Sequence, residues 1–185
     1  MKISNKNLVF FQGRCFPENP NIYNKFPKQW QTEIDCIKQI GFKFIDLIYD
    51  KENQLISKLN KELSYCKKKK LVINSVVGDK FLKKKSKKKN VHIILREIFK
   101  AIKIFDKRGI KSLTVPFIEN NYVNFKDLRL ILDEIYILIK DKKIKLYIEY
   151  NDSYEKLSIQ LNRYDNKILL CYDIGNAIEM KRNIY

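Results

Sequence analysis

Residues 112–149 read SLTVPFIENNYVNFKDLRLILDEIYILIKDKKIKLYIE, and the order of patterns within them decides the fold. Ser112–Phe117 is a short apolar and β-branched run without polar alternation, as expected of a parallel strand covered on both faces. Leu128, Leu132, Ile135 and Ile139 then recur at helical spacing. Leu146–Glu149 returns to a strand pattern. A strand, a helix and a second strand in that order form the repeating unit of an α/β protein.

The same rhythm extends in both directions. Upstream, strands are predicted at Leu8–Phe11, Phe44–Ile48 and Leu71–Val77, and downstream at Ile168–Tyr172. The intervening helices show one apolar stripe each. Trp30, Ile34 and Ile37 lead to Gly41 as a C-cap, and Leu55, Leu59, Leu63 and Cys66 form the second stripe. Val91, Ile94, Leu95, Ile98, Ile102 and Phe105 run to Gly109, with Asn90 at the N-cap position. Leu157 and Leu161 mark a shorter last helix.

Six such units suit either a doubly wound open sheet or a barrel. A doubly wound nucleotide-binding sheet calls for a glycine-rich turn after the first strand. Here that turn is Gln12-Gly13-Arg14-Cys15-Phe16-Pro17, with one glycine and no phosphate cradle. The expectation is therefore a single domain over 1–185, an incomplete (β/α)8 TIM barrel of six parallel strands with intervening helices.

Composition agrees with a single domain that packs a core. The chain of 185 residues is 45% hydrophobic and 12% aromatic, which excludes a disordered polymer. Four scattered cysteines (Cys15, Cys36, Cys66, Cys171) contain no C-x-x-C pair, so neither a disulfide framework nor a cysteine zinc site is expected. No apolar run reaches the roughly 18 residues of a membrane span, and Met1–Gln12 lacks a secretory leader pattern. The cytoplasm is the expected compartment.

The net charge of +17 comes from 38 lysines and arginines against 21 acids, with tracts at Lys67–Lys70 and Lys83–Lys89. Such tracts suit nucleic acid or an anionic substrate. Neither tract holds an aromatic residue to stack a base, so solvated surface in a lysine-rich composition is the favoured reading.

Acids nevertheless fall at the strand ends: Asp46 and Asp50, Asp79, Glu119, Glu149 and Asp173. In a barrel all strands point the same way, so these side chains converge on the C-terminal rim, where active sites lie. Converging carboxylates repel unless a cation or a shared proton neutralises them. Asp50 and Asp79, taken singly, read rather as caps of the next helix or as strand ends against solvent. Glu149 and Asp173 are favoured as ligands of a hard or borderline divalent cation, Mn²⁺, Mg²⁺ or Zn²⁺.

A resemblance now adds to these readings. Gln12-Gly13-Arg14, Phe26-Pro27, Trp30 with Glu33, Gly41-Phe42 and Ile45-Asp46 resemble the opening of the sugar-phosphate isomerase/epimerase (xylose-isomerase-like) family. Gly78-Asp79-Lys80-Phe81, Val115-Pro116-Phe117-Ile118-Glu119, Ile148-Glu149 and Tyr172-Asp173-Ile174-Gly175-Asn176-Ala177 continue it. The resemblance implies metal-assisted proton transfer next to a sugar carbonyl through an enediolate, on a sugar or sugar-phosphate substrate. It implies Glu149 as catalytic carboxylate and metal ligand and Asp173 as second ligand. Gln12, Arg14, Asp46, Asp79, Glu119 and Asn176 are implied around the substrate.

Two further metal ligands of the family, a His and a Glu, belong to strands seven and eight. A full barrel takes about 250 residues, so the expectation is a chain lacking the last two βα units. Its activity and its retention of the metal are left open, and its open strand edges favour self-association. His92 sits among apolar helix positions and is no substitute ligand. The alternatives are a non-catalytic barrel fragment or a DNA-binding protein like the apurinic-site endonucleases, whose barrel is related. Those nucleases use a cluster of zinc-binding histidines, and this sequence has one histidine.

Overall fold

The computed structural model describes residues 8–13, 15, 28–49, 56–78, 91–117, 123–150 and 154–171. Strands and helices alternate through them: β1 (Val9–Phe11), α1 (Trp30–Ile40), β2 (Phe44–Ile48), α2 (Ile56–Lys68), β3 (Val72–Val77) and α3 (Val91–Asp106). β4 (Ser112–Phe117), α4 (Phe125–Ile139), β5 (Lys145–Tyr150), α5 (Tyr154–Leu161), a 3₁₀ turn (Asn162–Tyr164) and β6 (Ile168–Leu170) follow. The strand positions match the sequence expectation to within a residue or two at each end. Asn90 and Leu55 lie outside the described residues.

All six strands are parallel, and their spatial order is their chain order, β1-β2-β3-β4-β5-β6. A doubly wound sheet reverses direction at a switch point; this one never does. The register adds a second barrel signature. Phe11 ends β1 opposite Asp46, two residues before β2 ends, and Val77 ends β3 opposite Thr114, three before β4 ends. From β1 to β5 the strand ends climb by five residues in four uneven steps, the direction of stagger that tilted barrel strands require, and β6 ends two residues short of β5. The fold is α/β, a partial TIM barrel.

The two sheet faces differ in chemistry. Leu47, Val76, Leu113, Val115, Leu146, Ile148 and Ile168 share one buried core with Ile34, Leu59, Ile98, Phe105, Leu132 and Ile135 from the helices. The opposite, inner face alternates with these positions and carries Asp46, Ser75, Ser112, Thr114, Tyr147 and Glu149. β4 is buried at every position, which explains its unbroken apolar reading. Pro116 lies just past the last β3–β4 pair, Val77 with Thr114, so its missing N–H interrupts no paired position between the two strands.

Three helices end in the same way. The N–H of Phe42, Leu71 and Ile110 donates to the carbonyl of Ile37, Cys66 and Phe105, five residues back. The N–H of Gly41, Lys70 and Gly109 donates to Lys38, Lys67 and Asp106. This is the Schellman arrangement, closed by one left-handed residue and one apolar residue that folds back on the helix. Gly41 (φ 99°) and Gly109 (φ 71°) adopt that conformation freely, whereas Lys70 (φ 55°) does so against its side chain.

Candidate functional site

The inner face near the strand ends holds the described carboxylates of interest. Glu149 lies one residue before the end of β5, on the inner face opposite Pro116, and is 9% exposed. Asp46 lies two residues before the end of β2 on the same face. Given the strand stagger, the two stand at about the same height in the barrel.

Asp46 is held by a defect in the ladder. Ile45 pairs with Ile73, but Asp46 pairs with Ser75, so Asn74 is an extra residue in β3. Bulges re-aim side chains and recur beside active sites. Here the Asn74 side-chain amide donates to Asp46 Oδ1 at 2.8 Å. The Ser75 backbone also donates to that carboxylate, yet burial outweighs both bonds and raises the Asp46 pKa above its ordinary value. The chain of contacts continues across the face. Ser112 Oγ donates to the Asn74 carbonyl, and Ser75 Oγ lies 2.9 Å from Thr114 Oγ1. These polar side chains were not singled out from the sequence, although Asn74-Ser75 interrupts the otherwise apolar run of β3.

Gln12, expected on the rim, is fully buried (0% exposed). Its side-chain oxygen accepts from the Ile48 N–H at 2.9 Å, and its amide donates to the Glu62 carboxylate on α2. Its place is a tie between the end of β2 and the helix layer. Glu33 on α1 is a second tie. Glu33 is buried, and its Oε1 accepts from the N–H of Gly13 at 2.9 Å and of Cys15 at 3.0 Å. It thus seats the turn on either side of Arg14. Glu62 was not singled out by sequence reasoning, because an acid within a helical repeat carries no local mark of burial.

The nearby thiols are not activated. Burial, then the charge of Glu33, pushes Cys15 up to about 12, and burial with the charge of Glu62 does the same to Cys66. Thiolate chemistry needs the opposite shift. His92 is exposed on α3, away from the inner face.

Arg14, Asp50, Asp79, Glu119, Asp173, Asn176 and the Lys83–Lys89 tract lie outside the described residues. Glu149 and Asp46 offer the oxygen donors that hard divalent ions take. Among the described residues, no three His, Cys, Asp or Glu side chains come close enough to hold a metal ion. Nor is any described helix long and apolar enough to cross a membrane.

No family model and no curated protein sequence matches the chain. Solved structures do. A D-psicose 3-epimerase determined with D-fructose superposes with TM-score 0.61 at 12% identity, covering 88% of this chain and 61% of the enzyme. The D-psicose 3-epimerase of Clostridium cellulolyticum H10, determined with D-tagatose, gives TM-score 0.60 at 10% identity over 92% of this chain and 68% of that one. A xylose isomerase-like TIM barrel/4-hydroxyphenylpyruvate dioxygenase fusion protein gives 0.60 at 9% identity, over 82% of this chain and 26% of its own length. The chain spans about a quarter of that fusion protein and less than two thirds of the first epimerase. At these identities the likeness is one of fold, that of the xylose isomerase-like TIM barrels.

Proposed function

We propose that the mouth between β2 and β5 is a site for proton transfer next to a sugar carbonyl, the reaction type of a sugar isomerase or epimerase. The observation that carries this reading is Glu149, a nearly buried carboxylate on the inner face at the end of β5, with Asp46 on the same face. A carboxylate in that position can take a proton from the carbon beside a bound carbonyl and return it. Asp46, oriented by Asn74 and Ser75, accepts a hydrogen bond from a sugar hydroxyl. The Glu33 and Gln12 ties keep the β1 turn seated, so that Arg14 reaches an anionic or hydroxyl-rich part of the substrate.

A divalent cation would be held by Glu149 together with Asp173, and when bound it supplies polarisation of the carbonyl. Asp79, Glu119 and Asn176 complete the substrate contacts in this proposal. The epimerase folds with D-fructose and D-tagatose support a small ketose or its phosphate as substrate.

The test is solvent-deuterium exchange at the carbon beside the carbonyl, followed by NMR over a panel of ketoses and ketose phosphates with Mn²⁺ present. Removing a general base costs about 10²–10⁴-fold, so Glu149→Gln should abolish exchange seen with the unaltered chain. Calorimetry should show Mn²⁺ binding weakened at least about tenfold. Equal exchange and equal Mn²⁺ affinity in both proteins would remove Glu149 from the site.

A further inference from the structure

The turns that lead from helices into strands lie together at the N-terminal end of the sheet, opposite the mouth. They read GFK (41–43), KKL (69–71), KRGIK (107–111), KDKKI (140–144) and NRYDNK (162–167). Every one carries lysine or arginine, and the only acids among them are Asp141 and Asp165. Neighbouring helix acids neutralise two of the lysines, Lys69 through Asp35 at 2.7 Å and Lys142 through Asp106 at 3.1 Å. Lys43, Lys70, Lys107, Lys111, Lys140 and Lys143 are exposed, and none makes an ion pair within 4.0 Å among the described residues.

Lysine-rich composition alone scatters charge over a whole surface. Here the five turns bring eleven lysines and arginines to one end, beside other exposed lysines carried by the helices. The apolar residues within these turns point inward, with Leu71 5%, Ile110 6% and Ile144 1% exposed, while Ile40 and Val72 flank them exposed. Turns entering neighbouring strands start about 4.8 Å apart at the sheet, which brings charges distant in sequence onto one surface. Helix C-termini carry partial negative charge, so lysines are held there at little electrostatic cost.

We infer that this N-terminal end is a docking surface for the phosphate backbone of duplex nucleic acid, read without regard to sequence. Three observations select that partner. Charge complementarity calls for a polyanion. The turns present no exposed aromatic side chain on which single-stranded bases could stack. The turns withdraw their own apolar residues, whereas stable binding to a bilayer needs an apolar anchor besides charge; Leu8, Val9, Ile40 and Val72 are the exposed apolar side chains beside them, so an anionic vesicle is the competing ligand. Lysine is a point charge that positions a backbone without reading bases. The surface is separate from the mouth, so this inference stands whatever the fate of Glu149.

Fluorescence anisotropy with a short labelled duplex of arbitrary sequence tests it, using two triple variants of equal net charge. Lys43→Gln/Lys70→Gln/Lys143→Gln removes charge from the proposed face, and Lys61→Gln/Lys126→Gln/Lys156→Gln removes it from exposed positions in the helices. The unaltered chain should bind in the micromolar range at about 50 mM salt and lose about 10³-fold by about 200 mM. The first triple should bind at least about tenfold more weakly, with a salt slope shallower by about 2.7. The second should stay within about threefold of the parent. Lysine acetylation of the unaltered chain gives a readout independent of variant folding: the duplex should protect Lys43, Lys70 and Lys143. Equal weakening by the two triples, no protection at those lysines, or preference for phosphatidylserine vesicles over the duplex would each overturn the inference.

Discussion

The two ends of the sheet are built by different means. At the N-terminal end, three helix-to-strand turns are closed by backbone hydrogen bonds and one left-handed residue each. Side chains add the Arg108 bonds to Ile104 and Asn60 and the Lys69–Asp35 pair, so most of the lysines there are free to carry charge. At the C-terminal end, the turn after β1 is held by side chains, with Glu33 binding two backbone N–H groups and Gln12 bridging Ile48 to Glu62. There the acids are buried, and changing one disturbs the fold as well as any chemistry. Charge at one end is cheap to exchange; charge at the other is structural.

The largest effect should come from Glu33→Ala. Hydrogen bonds to a charged group are worth about 1.5–3 kcal/mol each, so losing both backbone partners should cost about 3–6 kcal/mol in urea denaturation. A loss below about 1 kcal/mol would mean that the turn is held by something other than this carboxylate. Gln12→Leu should follow, at about 2 kcal/mol, because it leaves the buried Ile48 N–H without its acceptor and takes a donor from Glu62.

Smaller effects are expected at the other end. Gly109→Ala meets no neighbouring atom within 4 Å, so only its φ of 71° opposes the substitution. The left-handed conformation should cost about 1 kcal/mol. Lys70→Gly tests the same turn geometry with opposite sign and should stabilise by about 0.5–1 kcal/mol. If glycine there destabilises, the lysine side chain contributes to the turn and the contrast between the ends weakens.

The subtlest test concerns Asp46. Burial raises its pKa, so the folded state holds that proton more tightly than the unfolded chain does. Its contribution therefore favours folding at low pH and is lost as pH rises through the ordinary carboxylate pKa towards the raised one. Asp46→Asn keeps the shape and removes the titration. The variant should be more stable than the parent near pH 7, with the difference closing on acidification. Denaturant midpoints across that range check it, and a gap that widens as pH falls would reverse the assignment.

Much of the architecture was legible in residue patterns. The helical stripe from Val91 to Phe105 and the apolar runs of β4 and β5 announced α3, β4 and β5, because burial on one or both faces selects residue type directly. Gly41 and Gly109 marked helix ends for the same local reason. Lys70 closes a helix in the same geometry but could not be read, since lysine carries no preference for a left-handed backbone. The bulge at Asn74 was equally hidden, because register belongs to two strands at once.

The candidate site divides along the same line. Placing Glu149 and Asp46 near strand ends needed only the alternation of β and α patterns. That Gln12 turns towards Glu62, that Glu33 seats the first turn, and that Asn74 grips Asp46 are contacts between segments 20 to 50 residues apart in the chain.

By itself the sequence determined that five βα units and a sixth strand of the same kind follow one another, because periodicity and residue type are local consequences of burial. Only the tertiary structure decided which acids face the mouth and which brace it, and that lysines from five separate turns share one end. Those outcomes depend on strand order and register, which arise from pairing between distant segments and leave no mark on any single stretch of chain.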